Sequence, residues 1–286
     1  MNALLVATCI ITCSIQNIFM KQYNVKNPNG KFIFPLISAF MAFLFFVFTA
    51  KDTTFDPKVL IYSVAFAVCY AFASITVLLA LNIGSLVFTS LFMSYSLLIP
   101  TLNGLIFLGD SITIFKITGI VALLISIYLV RAEEKESTNK NGNRLKWWIY
   151  VLLGFVTNGM CSVIQNTQKL VFDGKQDSNF MIFALSIVIF IFAICAIIAD
   201  RKRFIKSFKC GMIYPSLNGI ANGVTNLLVI VLTPIRVAPS VFFPLISAGG
   251  IVLMFLVSLF VYKEKFITRQ IFGVCFGLAA LILLNI

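Results

Sequence analysis

The chain has 286 residues, 60% hydrophobic and 11% charged, with a mean hydropathy of +1.02 and a net charge of +12. That leaves far too little polar surface to coat a soluble globule of this size, so the composition places the chain in a lipid bilayer. It carries no histidine, which removes the commonest metal ligand and the commonest general base together, and its basic residues form no continuous face for a nucleic acid.

Apolar runs near 20 residues, bounded by charge or by Asn, Gly and Pro clusters, divide the chain into ten segments. They fall at about 2 to 20, 32 to 50, 59 to 82, 85 to 108, 112 to 131, 147 to 168, 179 to 199, 211 to 233, 237 to 262 and 267 to 286. The runs are continuously apolar instead of alternating, which predicts helices and argues against a barrel. The first lacks the basic start and small-residue cleavage site of a secretory signal and is expected to remain as a membrane helix. Seven cysteines lie within or at the ends of these runs without CxxC spacing, so they read as small hydrophobes, with no disulfide or metal. No cofactor is expected.

The only long polar stretch, RAEEKESTNKNGNRLK over 131 to 146, has five segments before it and five after. The expected organisation is a first repeat over 1–131, a polar linker over 132–146 and a second repeat over 147–286. At an offset of 154, Val87, Phe88 and Leu91 meet Val241, Phe242 and Leu245, Asp110 meets Glu264, and Gly119 meets Gly273. An acid at a helix boundary with a glycine nine residues on therefore recurs once per half. Cys13-Ser14-Ile15-Gln16-Asn17 is echoed by Cys161-Ser162-Val163-Ile164-Gln165-Asn166, with one residue more. Because five is odd, the second copy enters from the opposite side, giving an all-α protein of ten transmembrane helices as a 5+5 inverted repeat.

The eighth segment is unusual for its amides. Asn218, Asn222 and Asn226 recur every fourth residue and fall on one helical stripe, beside Gly219 and Gly223, which let a neighbouring helix come close. A carboxamide facing lipid has no partner, so the stripe looks inward. It serves either as glue between helices or as the wall of a solute cavity.

All ten acids lie at segment ends or in loops, so a mechanism in which a proton and a cation compete for a buried carboxylate has little support. The polar residues inside are uncharged: Gln16, Asn17, Gln165 and Asn166 in the first helix of each half, and Tyr95 with Ser96 and Asn103 in the fourth. Aligning Tyr62 with Tyr214 makes Tyr70 and Ser74 the counterparts of Asn222 and Asn226. Such a lining suits a neutral or zwitterionic metabolite with an apolar part, such as an amino acid. Lys21 and Lys169, at the ends of their helices, either snorkel to headgroups or touch an anionic group of a solute. Arg236 stands alone in a Thr-Pro-Ile-Arg turn, as an interface anchor or a gate.

Ten helices as five plus five, Leu108-Gly109-Asp110 followed by Gly119, its echo Lys263-Glu264 followed by Gly273, and a polar first helix per half resemble the EamA-like branch of the drug/metabolite transporter superfamily. The resemblance implies an exporter or facilitator of small metabolites, with a central cavity lined by the third, fourth, eighth and ninth helices and the first of each half. The family's second-half proline has a counterpart in Pro244, whereas the first-half position is Ser90. A lipid flippase reading a linked head group is the alternative on the same scaffold. An enzyme is not expected, because clustered acids, histidines or a nucleophile with its base are missing at membrane depth.

The partners expected are a small-molecule substrate and the lipid bilayer. A composition rich in Lys, Asn, Ile and Phe fits an AT-rich bacterial genome, hence a bacterial plasma membrane. Most Lys and Arg fall in the odd-numbered loops, as in Arg201, Lys202, Arg203, Lys206 and Lys209, so the positive-inside rule places those loops in the cytoplasm and both termini outside. The family resemblance implies the reverse.

Overall fold

The computed structural model describes residues 3–26, 32–50, 54–84, 86–96, 98–107, 113–131, 141–200, 212–232, 239–261, 263 and 266–283. Among them there are eleven helices and no strand: α1 (Ala3–Lys26), α2 (Ile33–Thr49), α3 (Val59–Ile83), α4 (Leu86–Tyr95), α5 (Leu98–Phe107), α6 (Ile114–Arg131), α7 (Asn141–Val171), α8 (Asp177–Asp200), α9 (Ile213–Leu232), α10 (Pro239–Phe260) and α11 (Thr268–Leu283). Each apolar segment read from the sequence is helical over most of its length. Three stretches, Val59–Ile83, Leu145–Val171 and Asp177–Ile198, are long and apolar enough to cross a membrane. The linker expected over 132–146 lies partly outside the described residues, and α7 already begins within it at Asn141. Asp110, Arg236 and Glu264 lie outside the described residues.

Hydroxyls are absorbed inside these helices by bonding back to the preceding turn. Thr8, Thr49, Ser63, Thr76, Thr157 and Ser186 each donate to the carbonyl four residues earlier, at 2.7 to 3.0 Å. That pairing lets a hydroxyl sit in apolar surroundings without a further partner.

The segment over 85 to 108 is two helices, a departure from the single run in the sequence. Pro100 has no N–H to offer the Ser96 carbonyl four residues before it. Instead the Ile99 N–H closes a tight turn on that carbonyl at 3.1 Å, while Ser96 donates its hydroxyl to Met93 O at 2.6 Å. Asn158 on α7 donates to Ser96 Oγ at 2.6 Å and pins the turn.

The main pairings are α1 with α9, α3 with α7, α2 with α9, α3 with α8, α2 with α8, α6 with α11 and α4 with α10; α10 also packs on α1, and α4 and α5 on α7. Small residues permit the approach of α9 to α2. A Cβ built on Gly219 would run into the Ser38 carbonyl of α2 and stand 2.7 Å from Met41 Cβ, and one on Gly223 would stand 2.7 Å from the Phe45 ring. The approach of α9 to α2 therefore requires glycine at both positions.

Aromatic side chains fill the interior: Phe92, Tyr95 and Trp147 in one cluster, Phe46, Phe66 and Phe180 in another. At one end of the bundle Lys21 Nζ donates to the Gly84 carbonyl at 3.2 Å, where a cation also favours the negative end of α3, and Lys26 Nζ donates to the Tyr214 hydroxyl at 2.8 Å. At the opposite end Gln176 Nε2 donates to Thr54 O at 3.0 Å, and Asn179 Nδ2 donates to Thr54 O at 2.8 Å and to Gln176 Oε1 at 2.9 Å. The outer faces are apolar, with Phe48, Ile61, Phe107, Ile198 and Phe260 all more than 70% exposed.

Candidate solute cavity

A cavity of about 290 Å³ opens between α1, α3, α4, α7, α9 and α10. It brings together Gln16 and Asn17 from α1, Tyr70 from α3, Gln165 from α7, and Asn222 and Asn226 from α9. Among the described residues, no Asp, Glu, Lys or Arg lines it.

The α1–α9 side is a continuous hydrogen-bonded sheet of amides and hydroxyls. Gln16 Nε2 donates to Thr225 Oγ1 at 3.0 Å and to Thr12 O at 3.2 Å, and Asn222 Nδ2 donates to Gln16 Oε1 at 3.0 Å. Asn226 Nδ2 donates to Asn222 O at 2.9 Å and to Asn222 Oδ1 at 3.1 Å. Thr225 Oγ1 lies 2.9 Å from Thr12 Oγ1 and 2.8 Å from Ala221 O, its single proton shared between them. Ser74 and Asn222 both hydrogen-bond to Tyr70, which carries the network across to α3.

The amide stripe divides between a helix seam and the cavity wall. Asn218 is buried in the seam, donating to Gln16 O at 2.9 Å and accepting from Ser38 Oγ at 2.6 Å, and it joins α1, α2 and α9 without facing the cavity. Asn222 and Asn226, further along, face the opening. Ser74 reaches it only through Tyr70, and Asn166 is half-buried beside Gln165 outside the lining.

Tyr95 lies elsewhere. It is 1% exposed, and its hydroxyl pairs with Ser126 of α6, which donates onward to the Gly273 carbonyl of α11 at 2.6 Å. Tyr95→Phe is expected to lower thermal stability by about 1 kcal/mol, a few degrees in melting temperature. Thermal unfolding in detergent checks it.

Sequence reasoning missed Ser14, Ser90, Asn158 and Thr225 as part of this region. Ser14 and Ser90 are 2% and 3% exposed, line the cavity, and have hydroxyls without a hydrogen-bond partner. The signal for Ser90 was present, since a polar residue stands there where the resemblance leads one to expect proline. Met93, Met254, Cys13 and Cys161 supply softer, less polar parts of the lining. Lys21 and Lys169 do not line the cavity, and the Lys21 ammonium is engaged with the end of α3.

No family model and no curated protein matches the chain. A solved structure described only as the crystal structure of a protein superposes with a TM-score of 0.61 at 9% identity, over 98% of this chain and 94% of that one. The likeness shows a shared arrangement of helices across nearly the whole chain, and nothing of its chemistry.

Proposed function

We propose that the protein is a membrane carrier that moves a small neutral or zwitterionic organic metabolite through the cavity between two halves. The observation that carries this reading is the cavity wall: uncharged donors and acceptors from five helices, two of them buried hydroxyls with no protein partner. An unpaired buried hydroxyl costs about 1–3 kcal/mol, which a polar solute or water relieves.

In this reading the chain crosses a bacterial plasma membrane ten times, with α4 and α5 sharing one crossing. The two halves are inverted copies of the EamA-like drug/metabolite transporter kind. The helix pairings support the duplication. Exchanging α1 with α7, α2 with α8, α3 with α9, α4 and α5 with α10, and α6 with α11 turns the α1–α9 pairing into α7–α3, and α2–α9 into α8–α3. The same exchange leaves α2–α8, α6–α11 and α4–α10 as themselves. The uncharged lining favours facilitated diffusion or exchange over coupling through a buried carboxylate.

A thermal-shift screen of the purified protein against amino acids, nucleosides, nucleobases, sugars and organic cations tests the reading, because a ligand of the folded state raises its melting temperature. The expected result is stabilisation by one chemical class that is also taken up by reconstituted vesicles. Vesicles that move none of these solutes faster than protein-free ones overturn it.

A further inference from the structure

The two halves of the cavity are not equivalent, and the difference identifies which carboxamide reads the solute. Gln16 of α1 and Gln165 of α7 occupy matching places in the two copies of the Cys-Ser-(x)-Gln-Asn echo, and the helix that carries each packs on the third helix of the opposite half. Gln16 is fully engaged. Its partners on α9 are the Asn222 amide, the Thr225 hydroxyl and, through its main-chain oxygen, the Asn218 amide. The alignment of Tyr62 with Tyr214 puts Phe66, Tyr70 and Ala73 of α3 at the positions of Asn218, Asn222 and Thr225. Two of the three polar partners are thus deleted on the α3 side. There Phe66 stacks on Tyr70 at 5.8 Å and packs into the aromatic cluster, while Ala73 offers no hydroxyl.

Gln165 consequently lines the cavity with both ends of its carboxamide unpaired among the described residues, as does Asn17 across from it. The orphaned hydroxyls of Ser14 and Ser90 stand in the same wall. Every open group is neutral, and the carboxamide offers a donor and an acceptor side by side. Its complement is a cyclic amide or imide edge, with N–H and C=O also side by side, which forms two parallel hydrogen bonds. A zwitterion entering this space meets no counter-charge, so its desolvation goes largely unrepaid, whereas a neutral amide exchanges its water hydrogen bonds for equivalent ones. Met93, Met254 and Val77 provide an apolar face for the body of the solute.

We infer that Gln165 is the solute-reading carboxamide and that the cavity takes an uncharged solute bearing a lactam or imide edge, of which a pyrimidine nucleobase is the simplest biological form. Gln16 is a positioning residue that holds the opposite wall. The inference rests on the carrier reading and narrows it.

The test compares the wild-type protein, Gln165→Leu and Gln16→Leu with two probes, uracil and leucine, by ligand-dependent thermal shift and by flux into vesicles. Uracil is expected to stabilise and to be transported by the wild type, and leucine is not. Gln165→Leu is expected to keep the ligand-free melting temperature and to weaken uracil binding about ten- to hundredfold, the effect of losing a two-bond contact. Gln16→Leu is expected instead to lower the ligand-free melting temperature. If leucine binds and moves while uracil does not, the solute assignment is overturned and the carrier reading stands. If uracil binds Gln165→Leu as tightly as the wild type, the role of Gln165 is overturned. If neither probe binds the wild type, the inference falls, and the broader screen alone then judges whether the protein is a carrier.

Discussion

Asn222→Leu is expected to abolish solute flux, by about a hundredfold or more, in vesicles where the variant inserts and elutes as a single species. One substitution removes the amide that donates to Gln16 Oε1, the oxygen that accepts from Asn226, and the partner of the Tyr70 hydroxyl. Gln16 Oε1 then loses its donor, Asn226 one of its two acceptors and the Tyr70 hydroxyl one of its two partners, and a branched alkyl group occupies the opening they framed. The protein survives because Asn218 still joins α1, α2 and α9, and Asn226 still bonds to the main-chain oxygen of residue 222. A stability loss of about 1–2 kcal/mol is expected, small beside the loss of flux. Asn222→Gln, which restores a donor and an acceptor one methylene further out, separates lost chemistry from lost shape by recovering part of the activity. Full flux in Asn222→Leu would remove the amide stripe from the mechanism.

The second large effect concerns folding. Gly219→Leu is expected to cost about 3 kcal/mol, the top of the range for overpacking, because the first obstacle is the main-chain carbonyl of Ser38 and not a side chain that can swing away. Moving α9 off α2 also stretches the Ser38–Asn218 hydrogen bond and the seam that continues from it to Gln16. Gly250→Ala is the matched control. A Cβ there meets only Ser14 Oγ at 3.7 Å, an ordinary contact, and its effect is expected within about 0.5 kcal/mol of zero. Fluorescence-detected size exclusion and thermal unfolding report both. A Gly219→Leu protein as stable as the wild type would mean that α2 and α9 do not meet as described.

The helices were readable because apolar length dominates everything else in such a sequence, and each predicted stretch carries a helix. The fourth was harder. Pro100 was visible, but the place where the chain gives way depends on Ser96, held by Asn158 from 62 residues away. The amide stripe was legible from its spacing alone, yet its division of labour was not. Asn218 is turned to structural use by Ser38, 180 residues earlier, and no local pattern announces that pairing. Tyr95 is a question of helical phase, since Ser94 beside it lines the cavity while Tyr95 points to α6. Thr225 escaped notice because a threonine in an apolar helix ordinarily bonds only to its own preceding turn, as this one also does. Cys9, Cys13 and Cys161 read as apolar filler, and they are free thiols bordering the cavity.

The interruption between α4 and α5 has no equal in α10, which runs as one helix from Pro239 to Phe260. At Ser96 the regular ladder is already interrupted, so a swing there disturbs the short-turn bond from the Ile99 N–H and the Asn158 contact, whereas bending the continuous rod breaks into an intact ladder. The two gates of a carrier built on this scaffold therefore differ in stiffness. Half-saturating solute concentrations measured from opposite faces of an oriented vesicle should accordingly be unequal.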